Sequence, residues 1–181
     1  MTDLFAGVKD DIADALDALL PTHSDIAQPM VDAMRHAVFG GGKRLRPLMA
    51  CAACEAFSGS FKAALPAACG LEFIHAYSLI HDDLPAMDDD ELRHGQAATH
   101  VAFGEANAIL AGDSLHSLAF QSLAEAPELS QAAKLRCITL LSTAAGWPGM
   151  AGGQCLDIAA EGENLSLIHI SEPRDLAQSR M

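Results

Sequence analysis

The sequence has few basic residues for its length. Its 181 residues include 11 Lys and Arg against 24 Asp and Glu, which gives a formal net charge of −13 at pH 7. A surface of that sign repels phosphate backbones and anionic lipid head groups, so general nucleic-acid binding is excluded. An anionic ligand would need a local cluster of basic side chains, or metal ions held by carboxylates.

Features of secreted and membrane proteins are also missing. The five cysteines, an odd number, lie inside Ala- and Leu-rich runs, which argues against a disulfide framework. The N-terminus, Met-Thr-Asp-Leu-Phe, is acidic where a secretory signal is basic, and no stretch reaches the roughly 18 uncharged apolar residues of a membrane span. We therefore expect a reduced cytoplasmic protein with no membrane span.

Aromatic and β-branched residues are scarce, which argues against a sheet-rich fold. Aromatic residues make up 5% of the chain, and its 50% hydrophobic content is dominated by Ala and Leu, which favour helices. Apolar residues recur at helical spacing, and period-two alternation is almost absent. We predict an all-α, antiparallel helical bundle with approximate helices 3–19, 25–39, 46–57, 61–83, 98–110, 113–125, 129–145 and 150–160. Asp113 is expected to cap the helix that starts there.

An acidic segment follows the helix predicted over 61–83. Residues 82–91 contain six carboxylates, and a solvated acidic loop is one explanation of such a run. The other is a cation site, because Mg²⁺ prefers oxygen ligands and typically takes one or two carboxylates together with substrate phosphates. On an unbroken helix Asp82 and Asp88 would diverge, but Pro85 interrupts the helix, so a local loop can bring Asp88 back toward Asp82.

A basic, glycine-rich segment lies earlier in the chain. Gly40-Gly41-Gly42-Lys43-Arg44-Leu45-Arg46-Pro47 holds three of the 11 basic residues. Glycines let backbone N–H groups converge on an anion, while Lys and Arg add charge and hydrogen-bond donors. The segment therefore predicts diphosphate binding, although a glycine helix stop followed by exposed charges is the simpler alternative.

His75, seven residues before Asp82 on the same helix face, is either a further phosphate ligand or a hydrogen-bonded core residue.

These segments occur together in one known family. The loop Gly41-Gly42-Lys-Arg-Leu-Arg-Pro47, the run His75-Ala-Tyr-Ser-Leu-Ile-His-Asp-Asp-Leu-Pro-Ala-Met-Asp-Asp-Asp90, and Gly152-Gly-Gln-Cys-Leu-Asp157 resemble the trans-isoprenyl diphosphate (polyprenyl) synthases. Among their members, the bacterial farnesyl-forming enzymes are the most similar. The resemblance covers about residues 1–165 and implies the N-terminal part of the isoprenoid synthase fold.

The resemblance also implies a role for each matching residue. Lys43, Arg46 and His75 would bind isopentenyl diphosphate. Asp82 and Asp88 would bind Mg²⁺, with two or three ions in the complete enzyme and Mn²⁺ as an alternative. Arg93 would contact the allylic diphosphate. Tyr77, five residues before Asp82, would form a floor beneath the growing chain and stop it near fifteen carbons.

The implied reaction is a prenyl transfer. Isopentenyl diphosphate would condense with dimethylallyl or geranyl diphosphate after Mg²⁺-assisted ionisation of the allylic substrate, giving geranyl and farnesyl diphosphate. The implied partners are these two diphosphates and a second copy of the chain in a homodimer. A non-catalytic helical regulatory or partner-binding subunit related to the family is the alternative.

Two departures from the family pattern affect these expectations. The family usually has Arg-Arg-Gly where this chain has Arg93-His94-Gly95, so His94 replaces an arginine that would contact isopentenyl diphosphate. A histidine is only partly charged at neutral pH and lacks the guanidinium fork. The family's second Asp-rich helix is also not found. We expect residues 1–166 to be the N-terminal part of a synthase domain and residues 167–181 to be a disordered, foreign tail. We also expect this chain alone to be inactive.

Overall fold

The computed structural model describes residues 6–58 and 60–160. Its helices are α1 (Ala6–Leu19), α2 (Gln28–Phe39), α3 (Leu45–Ser58), α4 (Leu65–Asp82), α5 (Thr99–Phe103), α6 (Glu105–Glu125), α7 (Gln131–Ala145) and α8 (Met150–Ala160), with a 3₁₀ turn at Phe61–Ala64. Two-residue strands, β1 (Leu92–Arg93) and β2 (Gln96–Ala97), pair antiparallel. The predicted all-α class is confirmed, whereas the predicted tail 167–181 lies outside the described residues.

The described residues form two compact units, one ending at Leu141 and the other beginning at Ser142. In the first unit α4 is the central helix, because it packs against α1, α2, α3 and α6. Its contact with α6 is the most extensive and is built from buried side chains: Phe73 and Ile80 of α4, and Ala108, Leu115 and Ala119 of α6. In the second unit, α8 confirms the helix predicted over 150–160 and carries Gln154 and Asp157.

The predicted break between helices 98–110 and 113–125 is wrong. The chain breaks at Gly104 instead, where φ is +84° and ψ is 151°, a backbone conformation that is essentially restricted to glycine. From Glu105 the helix runs without interruption to Glu125. Asp113 is therefore an interior residue of α6 and not an N-cap, and its carbonyl accepts a 2.9 Å hydrogen bond from Ser117 Oγ.

Gly112 lies inside α6, at a point where α4 and α6 approach too closely for a side chain. A Cβ atom at this position would lie 2.3 Å from Nε2 of His81 on α4, well inside van der Waals contact. The same His81 nitrogen donates a 3.2 Å hydrogen bond to the Ile109 carbonyl of α6. The glycine at this position thus reflects close helix packing, and the helix boundary predicted between residues 110 and 113 is absent.

The hydrophobic length of α4 raises the question of membrane insertion. Within the described residues, Phe61–Asp82 is the one segment long and apolar enough to cross a membrane, judged by length and composition alone. Half of its most apolar window is buried inside the protein, and Glu72 in its middle is ion-paired with Arg44. Core helices of helical bundles pass the same test, so this segment is weak evidence for a membrane span.

Candidate functional site

A cavity of about 500 Å³ opens in the first unit between the end of α2, the glycine-rich loop, α4 and the β1–β2 hairpin. Five of the residues predicted to bind substrate line it: Lys43, Arg46, His75, Arg93 and His94. They come from three separate regions of the sequence, so the fold brings them together. Asp82, Asp88 and Tyr77 do not line this cavity, although Asp83, next to Asp82, does.

The backbone of the glycine-rich loop has an unusual conformation. The φ angles of Gly41, Gly42 and Arg44 are +128°, +97° and +52°. Three of the four residues 41–44 are therefore in a backbone region that residues with a side chain rarely adopt. Gly41 also permits a close approach, because a Cβ there would lie 3.1 Å from Cβ of His94. His94 therefore packs directly against the loop that carries Lys43.

Arg44, the middle of the three basic residues in this loop, is turned away from solvent. Its guanidinium donates hydrogen bonds to the Glu72 carboxylate of α4 and to the Val38 carbonyl of α2. Glu72 is only 4% exposed, and the ion pair satisfies its charge. This ion pair was not predicted from the sequence. The signal that could have identified it is a single carboxylate within the otherwise apolar helix α4.

Arg46 and His75 are in direct contact within the cavity. Nη1 of Arg46 lies 3.2 Å from Nε2 of His75, and because a guanidinium only donates, this His75 nitrogen is the acceptor. Burial and the positive charge of Arg46 lower the pKa of His75, Glu72 raises it, and His94 and Arg44 lower it further. The lowered pKa favours the neutral imidazole in the free protein, and an anion bound in the cavity would favour its protonated form.

The acidic segment folds back on itself, as the position of Pro85 predicted. The backbone N–H of Asp88 donates a 2.9 Å hydrogen bond to the Asp82 carbonyl, and Met87 N–H donates a 2.8 Å bond to the Leu84 carbonyl. The predicted return of Asp88 toward Asp82 is thus confirmed for the backbone. Burial and the charge of Asp88 raise the pKa of the Asp82 carboxyl, while Arg93 lowers it.

Asp83 is more buried than its neighbour Asp82 and forms an ion pair with Arg93. It is 2% exposed and accepts hydrogen bonds from Arg93, at 3.0 Å from Nε to Oδ1 and with Nη2 bound to the same oxygen. Nη2 also lies 3.3 Å from Oδ2 of Asp90. These bonds orient Arg93 toward the cavity and leave its Nη1 without a partner in the described part of the chain. The contact between Asp83 and Arg93 was not predicted from the sequence.

A second unpredicted contact fixes the β1–β2 hairpin. Nε2 of His36 on α2 donates a 2.9 Å hydrogen bond to the Ala97 carbonyl of β2, and the imidazole packs edge-on against Phe103 with ring centroids 5.3 Å apart. His36 therefore connects α2 to the hairpin that carries Arg93 and His94. No local sequence pattern indicates a contact between residues 61 positions apart.

The acidic segment suits a metal ion whose coordination is completed by water and by a bound substrate. Among residues 6–58 and 60–160, no group of three or more His, Cys, Asp or Glu side chains is placed to hold a metal. Asp82 and Asp88 supply two carboxylates whose repulsion contributes to the raised pKa of Asp82, and a divalent cation would relieve that repulsion. Because Mg²⁺ keeps several waters and binds substrate phosphates, this donor set fits it.

Tyr77 belongs to an aromatic row between α4 and α6. Its ring packs edge-on against His116, with centroids 4.9 Å apart, and against His81 at 5.6 Å. His116 in turn contacts Phe120, one helical turn further along α6, at 5.1 Å. Burial and the charge of Asp82 raise the pKa of Tyr77. The predicted role of Tyr77 as a floor for the growing chain stays a prediction, and His116 and Phe120 extend the surface on which it lies.

The sequence model of one protein family, described as "Polyprenyl synthetase", matches residues 27–176. The chain belongs to this family. The polyprenyl synthetase match includes the glycine-rich loop, the acidic segment and the hairpin, so every residue of the cavity lies within it. The structural class agrees with this assignment, because solved isoprenyl synthases share the fold.

Polyprenyl synthetases with different names are similar to this chain. The farnesyl diphosphate synthase of Escherichia coli K12 is 51% identical over 141 residues, which are 77% of this chain and 47% of that protein. The heterodimeric geranylgeranyl pyrophosphate synthase large subunit 1 of Arabidopsis thaliana is 42% identical over 176 residues, or 91% of this chain and 47% of that protein. The chain therefore spans about half the length of these relatives.

A solved structure agrees with the sequence comparison. The apo structure of an FPP/GFPP synthase from Zymomonas mobilis superposes with a TM-score of 0.86 at 43% identity, covering 92% of this chain and 61% of that one. The predicted isoprenoid synthase fold is confirmed. The names of the relatives include farnesyl and geranylgeranyl products, so membership of the family leaves the product length open.

Proposed function

We propose that this chain carries the isopentenyl diphosphate site and one metal-binding carboxylate pair of a prenyltransferase. The reaction is the condensation of isopentenyl diphosphate with dimethylallyl or geranyl diphosphate. The observation that carries the proposal is the cavity itself, where Lys43, Arg46, His75, Arg93 and His94 converge in a chain of net charge −13. A local cationic cavity in an acidic protein is suited to a polyanionic substrate.

The cavity residues bind and orient the two substrates in this proposal. Lys43 and Arg46 bind the isopentenyl diphosphate, and His75 donates to the same group once a bound anion has raised its pKa. Arg93, held by Asp83 with its Nη1 available, binds the allylic diphosphate. Asp82 and Asp88 would hold Mg²⁺ or Mn²⁺, which supplies the positive charge that stabilises the departing diphosphate.

We further propose farnesyl diphosphate as the end product. Tyr77 supports this choice because its half-buried ring and those of His116 and Phe120 form an aromatic row that would limit the length of a growing chain. A cytoplasmic homodimer is the proposed state of the enzyme, and light scattering of the purified protein checks the oligomeric state.

The test is an activity assay on a chimera. Residues 1–160 are fused to the part of the Escherichia coli relative that this chain does not cover, and prenyl transfer is measured from isopentenyl and dimethylallyl diphosphate with Mg²⁺. Asp82→Ala is compared with Asp89→Asn, a control in the same acidic run, because asparagine tolerates the φ of +52° at position 89 better than alanine does. We expect a folded, active chimera that Asp82→Ala inactivates and Asp89→Asn does not. A folded chimera without turnover would favour the non-catalytic subunit instead.

A further inference from the structure

We propose that the buried Glu72–Arg44 ion pair is a positioning device that holds the glycine-rich loop in its diphosphate-binding conformation. In this proposal the pair acts through the loop residues Lys43 and Arg46. The inference deepens the proposed function, since it assigns the residues that prepare the same cavity for a diphosphate.

The loop needs such a device because its backbone is unfavourable by itself. Gly41 and Gly42 have positive φ angles, +128° and +97°, which glycine adopts without a steric penalty but also leaves readily. Arg44, at φ +52°, has a Cβ and is in a region where side-chain-bearing residues persist only when surrounding contacts fix them. Contacts of the Arg44 side chain must therefore stabilise this conformation.

Two contacts supply that stabilisation, and they come from different helices. Arg44 donates through Nη1 to Glu72 on α4 and through Nη2 to the Val38 carbonyl near the end of α2. The planar guanidinium can reach both partners at once, which a lysine ammonium would do poorly. The loop is thereby fixed to both walls of the cavity at Arg44, which directly follows Lys43.

The burial of the pair explains why it holds the loop firmly. The side chains of Arg44 and Glu72 are 18% and 6% exposed, so both charges are largely shielded from bulk water and each compensates the other. Neither Lys43 nor Arg46 has a carboxylate partner in the described part of the chain. Because Glu72 is paired with Arg44, the middle of the three cations, the flanking Lys43 and Arg46 remain available to an anion.

The pair also acts on the electrostatics of the cavity. Glu72 raises the pKa of His75, whereas Arg44, Arg46 and His94 lower it. Neutralising Glu72 should therefore lower the pKa of His75 further. This effect gives a measurement that a purely structural role of Glu72 would not change.

The experiment measures binding of inorganic diphosphate to the 181-residue chain by isothermal titration calorimetry. Glu72→Gln removes the charge and keeps the size, and Arg44→Lys keeps the charge and removes the fork. Asp17→Asn is the matched control, because it breaks the Arg35–Asp17 ion pair between α2 and α1 outside the cavity. We expect Glu72→Gln and Arg44→Lys each to lose about tenfold or more in affinity for diphosphate, and Asp17→Asn to lose less than about twofold.

NMR titration of the His75 imidazole is the second measurement. Glu72→Gln should lower its pKa, and Asp17→Asn should leave it unchanged. If Glu72→Gln does not fold, Arg44→Lys carries the binding test. Diphosphate binding by both folded variants within about twofold of the wild-type value would overturn the inference, as would a wild-type chain that binds no diphosphate. Binding that depends on Glu72 in a chain whose chimera does not turn over would refute the proposed function alone.

Discussion

Replacing Asp83 tests how the acidic segment is built. Asp83 is 2% exposed and accepts hydrogen bonds from both Nε and Nη2 of Arg93. Asp90 binds the same guanidinium through one 3.3 Å contact, and its side chain is 54% exposed. Because the two carboxylates share a partner and differ in burial, Asp90→Ala is the matched control for Asp83→Ala.

The expected loss follows from that difference in burial. Removing one partner of a buried ion pair typically costs about 3–5 kcal/mol, because the other charge is left uncompensated. The side chain of Arg93 is 32% exposed, so water and Asp90 compensate part of its charge. We therefore expect Asp83→Ala to lower the free energy of unfolding by about 2–3 kcal/mol, and Asp90→Ala to lower it by less than about 0.5 kcal/mol.

Urea unfolding followed by far-ultraviolet circular dichroism measures both values on the same chain. Asp83→Asn should fall between the two alanine variants, because it keeps the shape and one oxygen acceptor while it removes the charge. Equal losses for the two alanine variants, within about 0.5 kcal/mol, would refute the argument that the burial of Asp83 determines the strength of its ion pair.

Four further predictions concern the proposed enzyme and its cavity. In the active chimera, Asp82→Ala should lower turnover by at least about 10²-fold, the scale of losing a group that stabilises transition-state charge; near-native rates would refute the metal assignment. Tyr77→Ala should lengthen the products by opening space beneath the chain, and chromatography showing unchanged products would place the floor elsewhere. Burial and Arg46 lower the pKa of His75 in the folded state. Its contribution to stability is therefore present above the unfolded-state pKa of about 6.5 and is lost as the pH falls from there toward the folded-state pKa. In thermal melts His75→Gln should lose less stability than wild type over that pH interval, and equal losses would count against this titration. The 181-residue chain assayed alone should show no prenyl transfer, and robust turnover would show that these residues suffice.

The fold could be predicted from sequence where local signals agree. Ala- and Leu-rich segments with helical spacing gave α1, α2, α3, α4, α7 and α8 with small errors at their ends. The prediction failed at Gly112, because a glycine inside a helix can mark either a break or the approach of another helix. The deciding contact comes from His81 on α4, and nothing within α6 encodes it. The short hairpin at 92–97 was also missed, since two-residue strands have no periodicity to detect.

The residues of the site could be predicted by type, but their pairing could not. Asp82 and Asp83 are chemically identical neighbours, yet successive helical positions differ by about 100° in direction, so Asp83 is buried against Arg93 while Asp82 is free for another ligand. Sequence alone also cannot separate Arg44 from Lys43 and Arg46, because the deciding partner, Glu72, is 28 residues away.

These pairings set the charge that the cavity presents to a ligand. Of the four Lys and Arg side chains that line it, Arg44 and Arg93 are bound by the buried carboxylates of Glu72 and Asp83. Lys43 and Arg46 have no carboxylate partner among the described residues, and burial and Arg46 lower the pKa of His75. In the proposed enzyme, a strongly acidic chain would form an anion site by pairing its buried carboxylates with Arg44 and Arg93 and leaving Lys43, Arg46 and Nη1 of Arg93 for the ligands. The proposed affinity of the site for anions would therefore depend on tertiary pairing, which the composition of the sequence does not reveal.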